Sequence, residues 1–340
     1  MKKLSAFDKF VFILNSIIAS ILLFSFLSYF ISPNSVPFIS VISLFIPFLI
    51  LINLLFITYW LLKLKRQFLI STLILIIGFS YVSKFYKFQE KKVLQNSDLK
   101  VMSYNVRMFN VYKWIEEENV DLKIFDFIKK TNPDILCLQD FNPETKLGFS
   151  FPYSLITPSK KNSNFGHAIF SKYKIINSGS LNFTNSNNNA QFIDIIRNND
   201  TLRVYNVHLE SLRINPAKEK FDQENSGRLK IRLENSFKKQ TNQANLIIKH
   251  QENLTFKSII CGDFNNTAFS WVYSKIKSDK NDAFEVAGKG FGKTYDYGFP
   301  FRIDFILTDK SIEINNFETY DVKYSDHYPI MARLNLNDQD

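Results

Sequence analysis

The sequence predicts an α+β protein in which three membrane spans precede a mixed α/β sandwich. Three observations lead to this fold class. Phe is unusually abundant, with 35 copies among 340 residues, which favours segments that face lipid. The first 96 residues consist mainly of long apolar runs with few charges. From about Leu99 onward, short apolar runs alternate with Asn, Asp, Ser and Gly, a pattern typical of strands joined by turns.

The N-terminal apolar segment predicts three membrane-spanning helices. No Asp, Glu, Lys or Arg occurs in the 53 residues from 10 to 62. One helical span needs about 20 residues, so this run predicts two spans, 10–31 and 38–62, joined by a turn rich in Pro and Ser. A third span is predicted at 68–83, with Lys84 snorkelling at its end. The first apolar run is too long for a signal peptide, so we expect it to be retained.

The distribution of charge predicts how these spans are oriented. Residues 1–96 hold ten of the 42 Lys and Arg but two of the 32 Asp and Glu, which gives +8 there and +2 for the rest of the chain. The N-terminus and the second hairpin loop are basic, and the first hairpin loop is uncharged. The positive-inside rule therefore puts the N-terminus in the cytoplasm and the domain after residue 98 outside it. The basic residues that favour this orientation are Lys2, Lys3, Lys9, Lys63, Lys65 and Arg66, and those that oppose it are Lys84, Lys87, Lys91 and Lys92. We expect an integral protein of the inner or plasma membrane.

The region after residue 98 contains eight candidate strands and two amphipathic helices. The strands are predicted at 100–104, 135–138, 167–171, 192–197, 202–208, 258–261, 303–307 and 330–334, and the helices at 120–130 and 229–251. Strands outnumber helices and no regular βαβ alternation is visible, which favours a mixed α/β sandwich. Asn-rich stretches at 182–189 and 198–200 are predicted loops.

Several function classes lack their motifs in this chain. There is no G-x-x-x-x-G-K-[ST], H-E-x-x-H, G-x-S-x-G or paired C-x-x-C. The net charge of +10 does not indicate nucleic-acid binding, because most of it flanks the apolar segment. The two cysteines, Cys137 and Cys261, are too few for a disulfide scaffold, and we interpret them as small buried hydrophobes in two strands.

Polar residues follow or interrupt the predicted strands at six places. They are Asn105, Gln139 with Asp140, His208, Asp263 with Asn265, Asp304, and Asp326 with His327. Taken singly, an Asp or Asn after a strand is usually a turn former. Asp304 differs, because an acid inside an apolar run is costly unless it is paired or hydrogen-bonded. Together, the carboxylates, carboxamides and imidazoles suit phosphoryl chemistry assisted by Mg²⁺ or Mn²⁺, whereas the scarcity of His and Cys disfavours zinc.

The ordered segments SYNVR, ILCLQD, GHAIFSK, VYNVHLES, CGDFNNT, RIDFIL and SDHYPI resemble the endonuclease/exonuclease/phosphatase (DNase I-like) superfamily. With three preceding spans, the chain resembles a membrane-anchored bacterial branch of that superfamily. The resemblance implies a four-layer α/β/β/α sandwich with the site at one edge of its two sheets. It predicts a membrane anchor at 1–87, a juxtamembrane linker at 88–98, a catalytic domain at 99–336 and a C-terminal tail at 337–340.

The resemblance also implies roles for the polar residues. Asn105, Asp140 and Asp326 would belong to the metal site. His208 would contact the scissile phosphate, Asp263 would orient the attacking water, and Asn265 would hold the phosphate or the metal. His327 would stabilise the transition state, with Asp304 orienting its ring.

Two positions depart from the pattern of the superfamily. Asp140 stands where the superfamily usually has Glu, one methylene longer, so the metal would lie closer to that strand or bind through water. Arg107 stands where abasic-site endonucleases have Asp, and it could contact a phosphate instead.

We therefore expect a membrane-anchored, Mg²⁺- or Mn²⁺-dependent phosphoester hydrolase that acts on a lipid or a small phosphoester. The short linker reaches at most about 35 Å, which keeps the catalytic domain near the bilayer. Its charge of +2 gives no strong attraction for DNA. The alternatives are a membrane-anchored nuclease acting on DNA or RNA, and a pseudoenzyme that binds a phosphorylated ligand without turnover. The sequence indicates no protein partner.

Overall fold

The structure of the protein is a computed structural model that describes residues 4–145, 148–159, 165–198, 200–214, 223–296 and 299–336. The predicted tail at 337–340 and Asn199, in a predicted loop, lie outside this set. A helical N-terminal part packs against a part built on two β-sheets.

Five helices make up the N-terminal part: α1 (Ala6–Ser25), α2 (Pro37–Ser43), α3 (Ile46–Leu62), α4 (Phe68–Ile77) and α5 (Phe79–Phe85). Helix α1 continues into a 3-10 turn (Phe26–Tyr29), and together they are long and apolar enough to cross a membrane. The other two predicted spans are bent, by 54° between α2 and α3 and by 80° between α4 and α5. The described residues thus offer one candidate span, or up to three if each bent pair crosses as one unit, and the three-span prediction is not confirmed.

The two bends have local causes. Pro47 lies in the first turn of α3, where its missing N–H costs no hydrogen bond, so a new helix begins there. Gly78 separates α4 from α5, and a Cβ at this position would collide with the ring of Phe26. The apolar runs in the sequence carry no sign of the second bend, because it depends on how closely α1 packs.

A hydrogen-bonded polar cluster joins α1, α3 and α4. Asn15 Nδ2 donates to Ser71 Oγ at 2.7 Å, and Ser71 Oγ donates to Asn53 Oδ1 at 2.7 Å. Trp60 Nε1 donates to Asn15 Oδ1 at 2.9 Å. Polar side chains that pair across apolar helices fix their relative rotation, so this cluster holds the three helices in one arrangement.

The second part contains two six-stranded sheets. The first has the strand order β13-β14-β1-β2-β4-β3, with β1 (Leu99–Asn105), β2 (Ile135–Phe141), β3 (Tyr153–Pro158), β4 (Gly166–Ser171), β13 (Glu313–Thr319) and β14 (Ile330–Asn335). The second has the order β5-β6-β7-β8-β12-β9, with β5 (Ile175–Ser180), β6 (Ala190–Arg197), β7 (Asp200–His208), β8 (Ser258–Asp263), β9 (Asn281–Asp282) and β12 (Asp304–Thr308). A short hairpin of β10 (Tyr295–Asp296) and β11 (Pro300–Phe301) stands apart from both sheets.

Helices cover the outer face of each sheet, which gives the four layers that the resemblance implies. Helix α6 (Val120–Thr131) packs on the first sheet, and α7 (Gln223–Gln251) and α8 (Trp271–Lys277) pack on the second. A short α9 (Ala283–Ala287) adds to the core between the sheets. Cys137 and Cys261 are free and fully buried in that core, as predicted.

All eight predicted strands form. Six further strands are absent from the prediction: the two-residue strands β9, β10 and β11, and the longer strands β3, β5 and β13. Each of these longer three lies at an edge of its sheet. An edge strand has a neighbour on one side only, and β3 and β5 are largely exposed, so neither needs a continuous apolar run. The central strands, which are buried on both faces, are the ones that hydrophobicity reveals.

The predicted linker at 88–98 is hydrogen-bonded to the two-sheet part. Lys87, just before it, and Lys92, within it, form antiparallel bridges with Gly290 and Asn316, respectively. Val93 N donates to Asn315 O at 2.9 Å. These bonds fasten the chain to the two-sheet part directly after α5.

Candidate active site

The predicted site residues meet at one edge of the sandwich because of strand direction. Strands β1 and β2 are parallel, as are β7 and β8, so their carboxyl ends lie together. Strand β12 runs antiparallel to β8 and begins where β8 ends, with Asp304 opposite Asp263. His208 is also in register with Asp263. Two sheets thereby bring Asn105, His208, Asp263 and Asp304 to one place.

Asp263 lies at the centre of this cluster and is 1% exposed. Its Oδ1 accepts from the backbone N–H of Asn265 at 2.7 Å, and its Oδ2 accepts from Asn105 Nδ2 at 3.1 Å. The Nε2 atoms of His208 and His327 lie 3.5 and 3.6 Å from the same Oδ2. Burial, only partly offset by the charge of His327, raises the pKa of Asp263 to about 7. A carboxyl with this pKa can accept a proton from water near neutral pH.

His327 is held in a buried pair with Asp304. Its Nδ1 lies 3.0 and 3.2 Å from the two carboxylate oxygens of Asp304. Burial disfavours the charged ring, but the attraction of Asp304, Asp263 and Asp326 outweighs it and raises the pKa of His327 to about 10. The ring is therefore cationic at neutral pH, with Nε2 directed at Asp263.

His208 has the opposite protonation state. Burial, with a contribution from His327, lowers the pKa of His208 to about 3, so its ring is neutral. Its Nδ1 has no hydrogen-bond partner among the described residues and lies 3.6 Å from Asp140 Oδ1. A neutral imidazole, His208, and a cationic one, His327, thus both lie next to the carboxylate of Asp263.

Asp140 and Asp326 line the rim of the cluster, with side chains 25% and 24% exposed. The register of β2 shifts after Leu138, and Asp140 has a positive φ of 47°. Such a bulge turns a side chain out of the ladder. Burial raises the pKa of Asp140, and the negative charge of Asp326 adds to that rise.

Arg107 pairs with one of these rim acids. Its Nη1 lies 3.0 Å from Asp326 Oδ2, and its guanidinium lies 4.4 Å from the centre of the Trp114 ring. Arg107 begins a short turn after β1 (Arg107–Asn110), and all four of its residues have a positive φ. This backbone path turns the segment after β1 across the site.

Asn265 is positioned differently from the other predicted residues. Its Nδ2 donates to the carbonyl of Leu209 at 2.9 Å, while its backbone N–H binds Asp263. It therefore ties the segment after His208 to the segment after Asp263.

The structure adds His167, which is not among the residues predicted from the sequence. It lies in β4, is 1% exposed, and has no hydrogen-bond partner for either ring nitrogen among the described residues. Its ring centre is 5.5 Å from that of His208, with the planes at 87°. Burial and the neighbouring His208 lower the pKa of His167 to about 3. The sequence does carry a signal for His167: a polar ring inside the apolar run GHAIFSK needs an explanation, just as Asp304 does inside its own apolar run.

Two sets of side chains could hold a divalent cation. Asp263, Asp304 and His327 offer ligand atoms within 4.8 Å of one another, but these atoms already bind each other. Asn105, Asp140 and Asp326 also offer oxygen atoms, although Asn105 Oδ1 accepts from the Arg107 backbone N–H at 3.1 Å and Asp326 Oδ2 pairs with Arg107. The negative charge of Asp326 adds to the raised pKa of Asp140, and a cation between two such carboxylates would relieve their repulsion. Oxygen ligands of this kind suit Mg²⁺ or Mn²⁺.

Each of the two parts of the chain matches a family model. Residues 8–85 match the Domain of unknown function (DUF8431), and residues 102–327 match the Endonuclease/Exonuclease/phosphatase family. No curated protein sequence matches the chain.

Solved structures share the fold of the two-sheet part. A D. rerio TDP2 humanized by 14 mutations aligns at 17% identity over 71% of this chain and 100% of its own, with a TM-score of 0.54. An endonuclease/exonuclease/phosphatase from Bacteroides vulgatus aligns at 17% over the same shares, with a TM-score of 0.56. The human Nocturnin catalytic domain with bound sulfate aligns at 17% over 74% and 97%, with a TM-score of 0.53. These identities establish likeness of fold alone. The sequence match from 102 to 327 covers more than half of the chain, which therefore belongs to the Endonuclease/Exonuclease/phosphatase family.

Proposed function

We propose that this protein is a membrane-anchored phosphoester hydrolase that depends on Mg²⁺ or Mn²⁺. One observation carries the proposal: the buried carboxylate of Asp263 lies within 3.6 Å of a neutral imidazole, His208, and a cationic one, His327. A base for water and a fixed positive charge for the phosphate are the two groups that hydrolysis of a phosphoester needs.

The reaction assigns a role to each group. Asp263 orients a water molecule and takes its proton as the water oxygen bonds to phosphorus. The ester P–O bond then breaks, and the leaving oxygen takes up a proton from solvent, to which Asp263 later returns the proton it accepted. The cationic His327, fixed by Asp304, stabilises the charge on the phosphate oxygens, and His208 hydrogen-bonds to the same phosphate. Asn265 holds the segment that carries this machinery.

Asn105, Asp140 and Asp326 would hold the metal. The ion would act as a Lewis acid toward a phosphate oxygen. Arg107 neutralises part of the rim charge through Asp326 and offers its remaining N–H groups to a phosphate.

Membrane anchoring by residues 1–87, with the catalytic domain outside the cytoplasm, is the second part of the proposal. In it, each bent helix pair crosses as one broken span, giving three spans. Lys63, Lys65 and Arg66 lie at the end of the helices where Lys63 pairs with Asp8. The catalytic domain contacts the opposite end, near Tyr29, where Lys84 and Lys87 also lie. The basic loop at 63–66 and the uncharged loop at 32–37 support this orientation by the positive-inside rule, whereas Lys84 and Lys87 oppose it.

A lipid or another small phosphoester is the proposed substrate, because the region after residue 96 carries a net charge of only +2. A nuclease is the second candidate. A D. rerio TDP2 solved with a single-strand DNA product has the same fold, with a TM-score of 0.51 and 18% identity. The intact cluster of Asp263, Asp304 and His327 argues against a pseudoenzyme.

The test is a panel assay of the full chain in lipid nanodiscs with Mg²⁺ or Mn²⁺, with and without EDTA. The panel contains DNA, RNA, sphingomyelin, phosphatidylinositol, inositol phosphates and the chromogenic bis-p-nitrophenyl phosphate. We expect metal-dependent release of product from at least one compound and none from the variant His327→Ala. Failure with every compound would overturn the proposed activity.

A further inference from the structure

Three segments that carry or adjoin site residues all contact the same end of the N-terminal helices. After His208, Leu212 forms an apolar cluster with Leu233 and Phe237 of α7, and Val41 of α2 and the neighbouring Leu44 pack against this cluster. After Asp263, the carbonyl of Phe269 accepts from Ser28 Oγ at 3.2 Å. These contacts, with the one before Asp304 described next, define the docked end of the helices.

The segment before Asp304 makes the closest link between helix and site. In the hairpin of β10 and β11, the ring of Phe299 stacks on Phe48 of α3 with centres 3.8 Å apart. At the other end of this hairpin, Tyr295 forms a bridge with His327, and their rings are 4.9 Å apart. One short hairpin therefore contacts both an apolar helix and the cationic imidazole of the site.

Further bonds fix the orientation of the catalytic domain on the docked end. Ser274 Oγ of α8 donates to Tyr29 O at 2.8 Å, and Lys84 Nζ lies 3.8 Å from the centre of the Tyr29 ring. The bridge between Lys87 and Gly290 fastens the connecting segment beside them. The domain is thus held against the helices by contacts at several points.

Aromatic residues at the docked end remain exposed. Phe30, Phe38 and Phe45 are 69%, 57% and 54% exposed, respectively. Helix α2, which carries Phe38, is bent by 54° from α3 and packs across the end of the helices against α7. Apolar helices end at the membrane surface, so in the proposed anchored arrangement the docked end lies at the membrane–water interface. The hairpin that contacts His327 lies against this end.

We propose that the active site acts on a phosphoester carried by a membrane lipid, which reaches the site at the docked end. This inference rests on the proposed hydrolase activity and anchoring, and it narrows the substrate from small phosphoesters in general to those held in the bilayer. A water-soluble substrate would need no fixed orientation of the domain. A lipid headgroup needs one, because its phosphate stays at a constant depth.

The test compares the same phosphoester in a lipid and in solution, using the full chain in nanodiscs with Mn²⁺. Dioleoyl phosphatidic acid is paired with glycerol 3-phosphate, and dioleoyl phosphatidylglycerol with glycerophosphoglycerol. We expect at least one lipid to be hydrolysed about 10-fold faster than its soluble counterpart at equal concentration, because anchoring positions it.

A variant of the docking contact provides the second readout. Phe48→Ala removes the ring under Phe299 and should lower the lipid rate about 10-fold, while the rate on bis-p-nitrophenyl phosphate changes less than about 2-fold. Leu55→Ala is the matched control, since Leu55 lies on the same helix but is 69% exposed. If Phe48→Ala does not fold, Leu44→Ala loosens the packing against the cluster that contains Leu212 instead.

The outcomes separate the inference from the proposed function. Equal rates on lipid and soluble pairs, or an equal loss on lipid and chromogenic substrates in Phe48→Ala, would overturn the lipid assignment and leave the hydrolase intact. Cleavage of DNA without release from either lipid would also overturn it. Hydrolysis of no compound at all would count against the hydrolase itself.

Discussion

Asp304 and His327 form a buried pair in which Nδ1 of the imidazole lies 3.0 Å from a carboxylate oxygen, while Nε2 lies 3.6 Å from Asp263. The pair joins β12 of the second sheet to the segment that precedes β14 of the first sheet. It fixes the ring orientation and keeps the ring cationic, so the geometry of the site depends on both sheets being in place.

Removal of the carboxylate partner should change the pH dependence of the reaction. Asp304 is one of the charges that raise the pKa of His327 to about 10, so Asp304→Asn lowers that pKa. Because activity requires the cationic ring, the rate of the variant should begin to fall at a lower alkaline pH than the rate of the wild-type protein. A pH–rate profile of the wild-type protein and the variant measures the shift. Identical alkaline limbs would mean that His327 does not act as a cation.

Replacement of the central carboxylate should remove catalysis without unfolding the protein. Asp263→Asn is nearly isosteric and should lower kcat by about 10²- to 10⁴-fold, the usual contribution of a positioned base. Steady-state kinetics on the substrate identified in the panel assay measure the loss. Asp126→Asn, an exposed acid on α6, is the control and should keep wild-type activity. Near wild-type turnover by Asp263→Asn would contradict its assigned role.

Metal dependence should respond to the length of the acid at position 140. EDTA should abolish activity, because the proposed ligands are oxygen atoms that favour Mg²⁺ or Mn²⁺. Asp140→Glu adds the methylene usual in the superfamily, so we expect the variant to be active with an equal or lower half-saturating metal concentration. Titration of activity with Mn²⁺ tests this. An inactive Glu variant would show that the site is built around the shorter acid.

Two neutral buried histidines should make the fold sensitive to acid. The pKa values of His167 and His208 are lowered to about 3, below the unfolded value of about 6.5. Their contribution to stability is fully present above pH 6.5 and is lost as the pH falls toward 3. At pH 5 the loss is about 2 kcal/mol for each residue.

Thermal unfolding at pH 7 and pH 5 measures this effect. His167→Asn should make the difference in Tm between the two pH values smaller than in the wild-type protein. His250→Asn, at a half-buried histidine in α7, should change it less. An unchanged difference in His167→Asn would mean that His167 is not the source of acid sensitivity.

The catalytic domain should lie outside the cytoplasm. A C-terminal alkaline phosphatase fusion should be active and a GFP fusion dark, because the domain contacts the end of the helices opposite the basic loop at 63–66. The reverse pattern would mean that one bent helix pair does not cross the membrane.

The sequence alone determined the features that depend on local pattern. Uninterrupted apolar runs identified the N-terminal helices, and short apolar runs identified the central strands, because a strand buried on both faces must be apolar throughout. Asp304 could be singled out because a charge inside such a run needs a partner, and Asp263 because it belongs to a set of polar residues that follow the strands.

Only the tertiary structure decided the features that depend on packing between distant segments. The edge strand β3 carries little hydrophobic signal, because one of its sides has no neighbour. The bend at Gly78 depends on the ring of Phe26, and the pairing of Arg107 with Asp326 joins residues far apart in the chain. The stacking of Phe299 on Phe48 likewise exists only once the sheets have formed and met the helices. Such contacts arise from complementary shape and charge across the fold, which no local stretch of sequence encodes.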